Sequence, residues 1–197
     1  MPGRYIRRQD SAVDGANGLD FDDDGELVGV RVVGARHAGE VFARARLVDV
    51  ELVRCDLAGC DFSEAAFHRV RLVDCRCVGI DLGQATFRTA AFDDCRLDDA
   101  NFRVSRLTAA RFDAAVLARA DFGGAFLDDV SLPGCDLAGA DFSNAHCSNV
   151  DLRGARLDGL RGVGSLSGAT IGFDQVLTLA PALANAVGLR VLADEAE

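Results

Sequence analysis

Seven cysteines, three histidines and one aspartate-rich run are the residues of this chain whose types could do chemistry. Thiolates at the right spacing hold zinc, a histidine beside a carboxylate or thiol moves protons, and alternating aspartates ending in glycine cradle calcium. None of these patterns is completed here. Cys75 and Cys77 stand close together, and Cys55, Cys75, Cys95 and Cys135 recur at multiples of twenty residues, but no second cluster has zinc-ligand spacing. Asp20, Asp22, Asp24 and Gly25 match the opening of an EF-hand loop, with Leu27 at its apolar eighth position. The twelfth position should be a bidentate Glu and is Arg31, a cation that opposes the ion, so the run reads as a solvated acidic lead-in. With one Tyr, no Trp and no phosphate loop, nucleophile elbow or paired metal motif, the chain is expected to be no enzyme and to carry no metal or cofactor.

The cysteines have another explanation once positions are counted. Every fifth residue from Phe42 to Leu157 is Phe, Leu or Cys, twenty-four positions without an insertion or deletion. The positions two before them, Ala45, Val50, Cys55, Cys60, Ala65 and onward to Ala155, are nearly all small and apolar, while Asp, Arg, Gly and Ser fill the other three places. A helix needs apolar spacing near 3.6 and a strand spacing of 2, so a strict period of five fits neither. It reads as a solenoid whose units bury their apolar side by stacking on the next coil. Two inward positions in five imply a corner at each unit, and four corners close a coil of 20 residues. Columns at that spacing agree: 42, 62, 82, 102, 122 and 142 read Phe, Phe, Leu, Phe, Phe, Phe, and 55, 75, 95 and 135 are all Cys, with Ala115 between. All seven cysteines fall on inward positions, where a free thiol acts as a small hydrophobe, and an odd number fits a reducing compartment. No apolar run approaches the roughly 18 residues of a membrane helix, and residues 1–9 lack a secretory signal, so the expected location is cytoplasmic, away from any membrane.

Units such as Ala-Asp-Phe-Gly-Gly at 120–124 and Ala-Asp-Phe-Ser-Asn at 140–144 resemble those of the pentapeptide-repeat family, and the resemblance covers residues 27–171. It implies an all-β solenoid, a right-handed quadrilateral β-helix. Room exists for about seven coils, a rod about 35 Å long at ~4.8 Å per coil. The expected organisation is an acidic, partly flexible lead-in over 1–26, the β-helix over 27–172, and a helix and strand over 173–197.

After Leu157 the register slips by one residue through the glycine-rich stretch 159–164 and resumes with Leu166 and Ile171. Asp174 is a candidate N-cap, Val176, Leu179, Ala180, Leu183 and Val187 form one helical stripe, and Gly188 is the stop. Pro181 either kinks one helix over 175–187 or opens a shorter one. Leu189, Val191 and Leu192 read as a short strand. A solenoid end must be capped, but this segment carries more apolar residues than a cap needs, so Val176, Leu179, Leu183, Val187, Leu189 and Val191 are expected to form an end-to-end homodimer interface. The ending also resembles that of the fluoroquinolone-resistance pentapeptide proteins of the MfpA and Qnr type, matched at Ile171, Gln175, Gly188 and Leu189. That resemblance implies a rod-like dimer imitating duplex DNA on DNA gyrase or a related type II topoisomerase, with no direct contact to nucleic acid.

The net charge of −10 suits such imitation, but its distribution is uneven. Residues 27–171 hold 20 acids and 17 arginines, a net −3, whereas a duplex of similar length carries about 20 negative charges. Local arrangement says more. Asp121, Asp128, Asp129, Asp136, Asp141 and Asp151 lie in a stretch, 120–152, with no Arg, and fall on all four faces as an acidic collar beside the proposed dimer end. Asp61, Asp81, Asn101, Asp121 and Asp141 form a ladder on one face, open to two readings: turn chemistry, or imitation of a nucleic acid's potential. His68 and His146 share a face four coils apart, roughly 19 Å, too far to cooperate, and His37 reads as a hydrogen-bonded cap residue. Two functions of different class follow: a DNA mimic that protects gyrase from quinolones or a natural poison, and an interaction scaffold unrelated to topoisomerases.

Overall fold

The computed structural model describes residues 12–14, 18, 19, 21 and 25–191; the EF-hand-like Asp20, Asp22 and Asp24, and the tail beyond Val191, lie outside them. Ten strands form one sheet: β1 Ala12–Asp14, β2 Glu26–Val28, β3 Arg31–Val33, β4 Arg46–Val53, β5 Ala66–Val73, β6 Thr86–Asp93, β7 Arg106–Asp113, β8 Phe126–Ser131, β9 His146–Asp151 and β10 Ala169–Thr170. A 3₁₀ turn at Val163–Ser165 and one helix, α1, at Gln175–Ala186 complete the elements among the described residues. Every pairing is parallel, and from β2 to β9 each residue pairs with the one twenty places on, as Leu47 with Phe67 and Phe67 with Phe87. The architecture is the expected quadrilateral β-helix of about seven coils.

Each long strand spans two faces of the square. The other two faces pair only at single residues, such as Asp61 with Asp81 and Arg76 with Arg96. The corners have one conformation throughout: every fifth residue from Gly29 to Gly159 has φ between 50° and 78°, and seventeen of these residues are not glycine. A left-handed L-residue costs ~1–2 kcal/mol, so the corners are imposed by the stack rather than preferred locally. What offsets them is the interior. Phe102, Phe112, Phe122 and Phe142 have no exposed surface. Rings stack coil on coil, Phe67 on Phe87 at 4.6 Å and Phe102 on Phe122 at 4.8 Å, close to the ~4.8 Å strand spacing.

The one-residue slip near the C-terminus is visible as pairing of Val150 with Ala169 and Asp151 with Thr170, nineteen residues apart rather than twenty. Part of the lead-in is ordered, since β1 pairs along β3 and Leu19 is buried against the first coil. Two expectations need correcting. Leu189 and Val191 form no strand; the backbone there is irregular and both side chains are exposed. Asp174 precedes α1 but makes no side-chain capping bond, since its own backbone is already helical (φ −63°, ψ −28°).

Candidate functional site: the acidic collar and the C-terminal helix

The aspartate ladder is built by its corners. Asp61, Asp81, Asn101, Asp121 and Asp141 each accept, through Oδ1, the backbone N–H two residues on, at 2.8–3.0 Å from Ser63, Gly83, Arg103, Gly123 and Ser143. This is turn chemistry, and it occupies one oxygen of every rung. Asn101 Nδ2 also donates to Asp81 Oδ1 at 2.8 Å. The Ser63 and Ser143 hydroxyls and amides hold the Asp61 and Asp141 carboxyls below the usual range. Negative charge therefore persists along this face, but at positions chosen by the fold.

The collar is less bare than its sequence suggests. Asp121 Oδ2 receives Arg103 Nη1 at 3.1 Å, Asp136 Oδ1 receives Arg156 Nε at 2.9 Å, and Asp141 Oδ2 meets Arg161 Nη2 at 3.4 Å. Asp151 is chelated by Arg153, whose guanidinium and amide bring its carboxyl down to about 2. These arginines lie just outside the 120–152 stretch and reach in from the corner beyond or the neighbouring coil. Asp128 and Asp129, at the corner in the middle of β8, differ. Asp128 has no partner among the described residues, and Asp129 Oδ1 receives only the neutral Asn149 Nδ2 at 2.9 Å. Beside them lies Phe126, covered by the Arg106 guanidinium at 4.3 Å and stacked on His146 at 4.6 Å. A shallow groove of about 350 Å³ runs past Asp129 and Asp151.

The second candidate surface is the C-terminal segment. α1 is one helix containing Pro181. Of the stripe expected at a dimer interface, Leu179 is turned into its own rod and is only 2% exposed, so it is not on the outer surface. Val176, Leu183, Val187, Leu189 and Val191 are exposed. The sequence reading missed the two most open residues, Phe173 at 94% and Leu177 at 83%, which flank the stripe rather than lie on it. A groove of about 440 Å³, lined by Leu166, Ile171, Leu183 and Val187 among others, separates α1 from the last coil.

Groups capable of catalysis are scattered. His37 is buried and its Nδ1 lies 3.0 Å from Glu40 Oε2, as expected of a cap residue, while its Nε2 finds no partner among the described residues. Six cysteines are buried and Cys147 is half-buried; the bond of Cys75 with Cys55 lowers it, but its bond with Cys95 and burial carry it up to about 12, and burial carries Cys135 up to about 12. No group of His, Cys, Asp and Glu among the described residues is arranged to hold a metal ion. No described helix is long and apolar enough to cross a membrane.

A coiled rod with five-residue corners and an outer surface of paired charges defines a repeat scaffold. The chain belongs to the pentapeptide-repeat family: the description "Pentapeptide repeat region" matches residues 45–122, and "Pentapeptide repeats (8 copies)" matches 26–63 and 127–159. Among solved structures it is similar to full-length QnrB1, described as a plasmid-mediated fluoroquinolone resistance protein, at 19% identity and a TM-score of 0.43, over 80% of this chain and 96% of that one. It is also similar to HetL of the cyanobacterium Nostoc, involved in heterocyst differentiation regulation (20%, TM-score 0.30, 73% and 87%). A third is a thylakoid-lumen pentapeptide repeat protein of Arabidopsis thaliana (21%, TM-score 0.36, 58% and 70%). No curated protein matches. At these identities and scores the likenesses carry no functional weight.

Proposed function

We propose that this chain is a cytoplasmic protein-binding rod that doubles through its C-terminal helix and docks on DNA gyrase, or a related type II topoisomerase, where duplex DNA would bind. It thereby protects the enzyme from quinolones or a natural gyrase poison. The observation that carries the reading is the pair Asp128 and Asp129, neither of them ion-paired, together with a C-terminal segment whose Phe173, Leu177 and Val187 are open to solvent. A tail-to-tail dimer would bring two such pairs toward its centre, where a cationic nucleic-acid groove would meet them. Asp121, Asp136, Asp141, Asp151, Asp61 and Asp81 contribute weaker potential, four of them being arginine-paired.

That compensation favours a second reading, an interaction scaffold unrelated to topoisomerases. Gyrase supercoiling with and without ciprofloxacin separates the two. The wild type should inhibit supercoiling or rescue it from the drug at micromolar protein, and an Asp128→Asn, Asp129→Asn double variant should lose that effect. No effect of the wild type leaves the scaffold reading; an undiminished double variant moves the contact elsewhere on the rod.

A further inference from the structure

Gln175, the first residue of α1, stands at a multiple of twenty from Cys55, Cys75 and Cys135. In that column the thiol donates to the carbonyl twenty-three residues earlier: Cys55 to Val32 O at 3.7 Å, Cys75 to Leu52 O at 3.3 Å, and Cys135 to Phe112 O at 3.4 Å. Gln175 takes the same step in the last coil. Its Nε2 donates to Leu152 O at 2.8 Å and to Ala155 O at 2.7 Å, while its Oε1 accepts from Gly172 N at 2.6 Å. The residue is 5% exposed, one of three buried polar residues among those described, with His37 and Ser105. Ala155 O, whose counterpart Cys135 O accepts the next coil's Arg156 N at 2.8 Å, is thus satisfied by this amide where no further coil follows, while Leu152 O also accepts Ala155 N at 3.1 Å.

Apolar anchorage of the helix is slight by comparison. Leu179 is the one apolar residue of α1 that is fully buried, with Ala182 partly so. A helix of this length is marginal alone, and Pro181 removes one of its backbone bonds.

We propose that Gln175 is the positioning residue of the C-terminal helix: its amide continues the thiol column's hydrogen-bond pattern by one step and thereby sets how α1 sits on the rod. Its consequence for the dimer rests on the proposed function, because the angle at which Phe173, Leu177 and Val187 face a second copy is then set through this one buried group. Docking of the helix does not depend on that reading.

Gln175→Glu keeps the shape and changes the hydrogen bonding. An ionised carboxylate only accepts, and sits against two buried carbonyl oxygens; a protonated one regains a donor. Gln175→Leu removes both donors at any pH. Hydrogen-exchange protection factors of the α1 amides should fall about tenfold or more in Gln175→Glu near pH 8 and recover toward wild type near pH 5, while Gln175→Leu stays low at both. The dimer dissociation constant, from sedimentation over a dilution series, should follow the same pattern, with the circular dichroism of the coils unchanged. A Glu variant as protected as wild type near pH 8, or one that fails to recover on acidification, overturns the proposal. A wild type that is monomeric, with Gln175→Glu still showing the full pH pattern in α1 exchange, overturns only the dimer.

Discussion

Gly162 offers the sharpest test of how the rod ends. Its φ is +72°, and a Cβ built there would lie 2.2 Å from Ser143 N and 2.4 Å from the Phe142 carbonyl carbon. Those atoms are backbone of the last regular coil and cannot rotate away. Gly159 is the control: its φ is +65°, but its Cβ would meet only Gly139 atoms at 3.9 Å, an ordinary contact. Alanine at either site costs ~1–2 kcal/mol for the left-handed backbone, offset in part by a stiffer unfolded chain. Only at Gly162 must the chain also move by about an ångström or more to restore normal contact. That shift pulls the turn Val163–Ser165 outward, exposes Val163 and Leu160, and breaks the bond from Asn144 N to Ser165 Oγ at 3.0 Å. Burial and hydrogen-bond losses of this kind bring Gly162→Ala to about 3–5 kcal/mol, against about 1 for Gly159→Ala. At ~2–4 °C per kcal/mol for a chain of this size, the thermal midpoint should fall by a few degrees for Gly159→Ala and by about 6 °C or more for Gly162→Ala. The loss sits at one end of a solenoid, so exchange of the α1 amides should accelerate before the coils melt. Equal midpoints for the two variants would refute the argument from backbone approach.

Val104 is a β-branched residue at φ 57° with 52% of its surface exposed, so Val104→Asn should raise the urea midpoint by the equivalent of about 0.5–1 kcal/mol; no gain would show that the corner holds no strain. Phe102→Ala removes a fully buried ring stacked at 4.8 Å on Phe122 and should cost about 3–5 kcal/mol in the same measurement; a cost under about 1 would deny the stack its role. Ellman's reagent near pH 8 should titrate at most one thiol, the half-buried Cys147, until denaturant exposes all seven; a second thiol reacting quickly in the native protein would contradict the closed interior. Asp61, Asp141 and Asp151 have folded-state carboxyls lower than unfolded ones, so their contribution is complete above about pH 4 and is lost as pH falls through the folded values, about 2 for Asp151. Urea melts should show a modest decline over that window, modest because these groups are largely solvent-screened, and a rise on acidification would reverse the assignment.

The fold was legible because one rule repeats. An inward pair at every unit, with identical columns at spacing twenty, leaves few arrangements in which Phe102 and Phe122 are both buried. The corner conformation was partly legible: seventeen of the twenty-seven positions that turn left-handed hold Gly, Asp or Asn, which tolerate it best. The same position also holds Arg44, Glu64, Thr89 and Val104, where stacking against the next coil overrides propensity. The strand expected at Leu189 and Val191 failed for the complementary reason: alternation alone cannot make a strand where no neighbouring edge is within reach.

The collar shows where reading along the chain departs from reading around the coil. Residues 120–152 contain no arginine, and along the chain that looks like an uncompensated acidic band. In the coil, a residue's charge neighbours lie two and about twenty places away. Arg153 is two from Asp151, Arg156 and Arg161 are twenty from Asp136 and Asp141, and Arg103 is eighteen from Asp121. Counting at those offsets would have found all four pairs in the sequence. At two and twenty places Asp128 has no cation, since Thr108 and Ser148 flank it, and Asp129 has only Ala109 and Asn149; the nearest arginines at looser offsets, Arg106 and Arg111, are engaged with Phe126 and Asp113 instead. Period twenty, which fixes the core, is therefore also the rule that separates the four arginine-paired carboxylates from Asp128, Asp129, Asp61 and Asp81, none of which has a cation two or twenty places away.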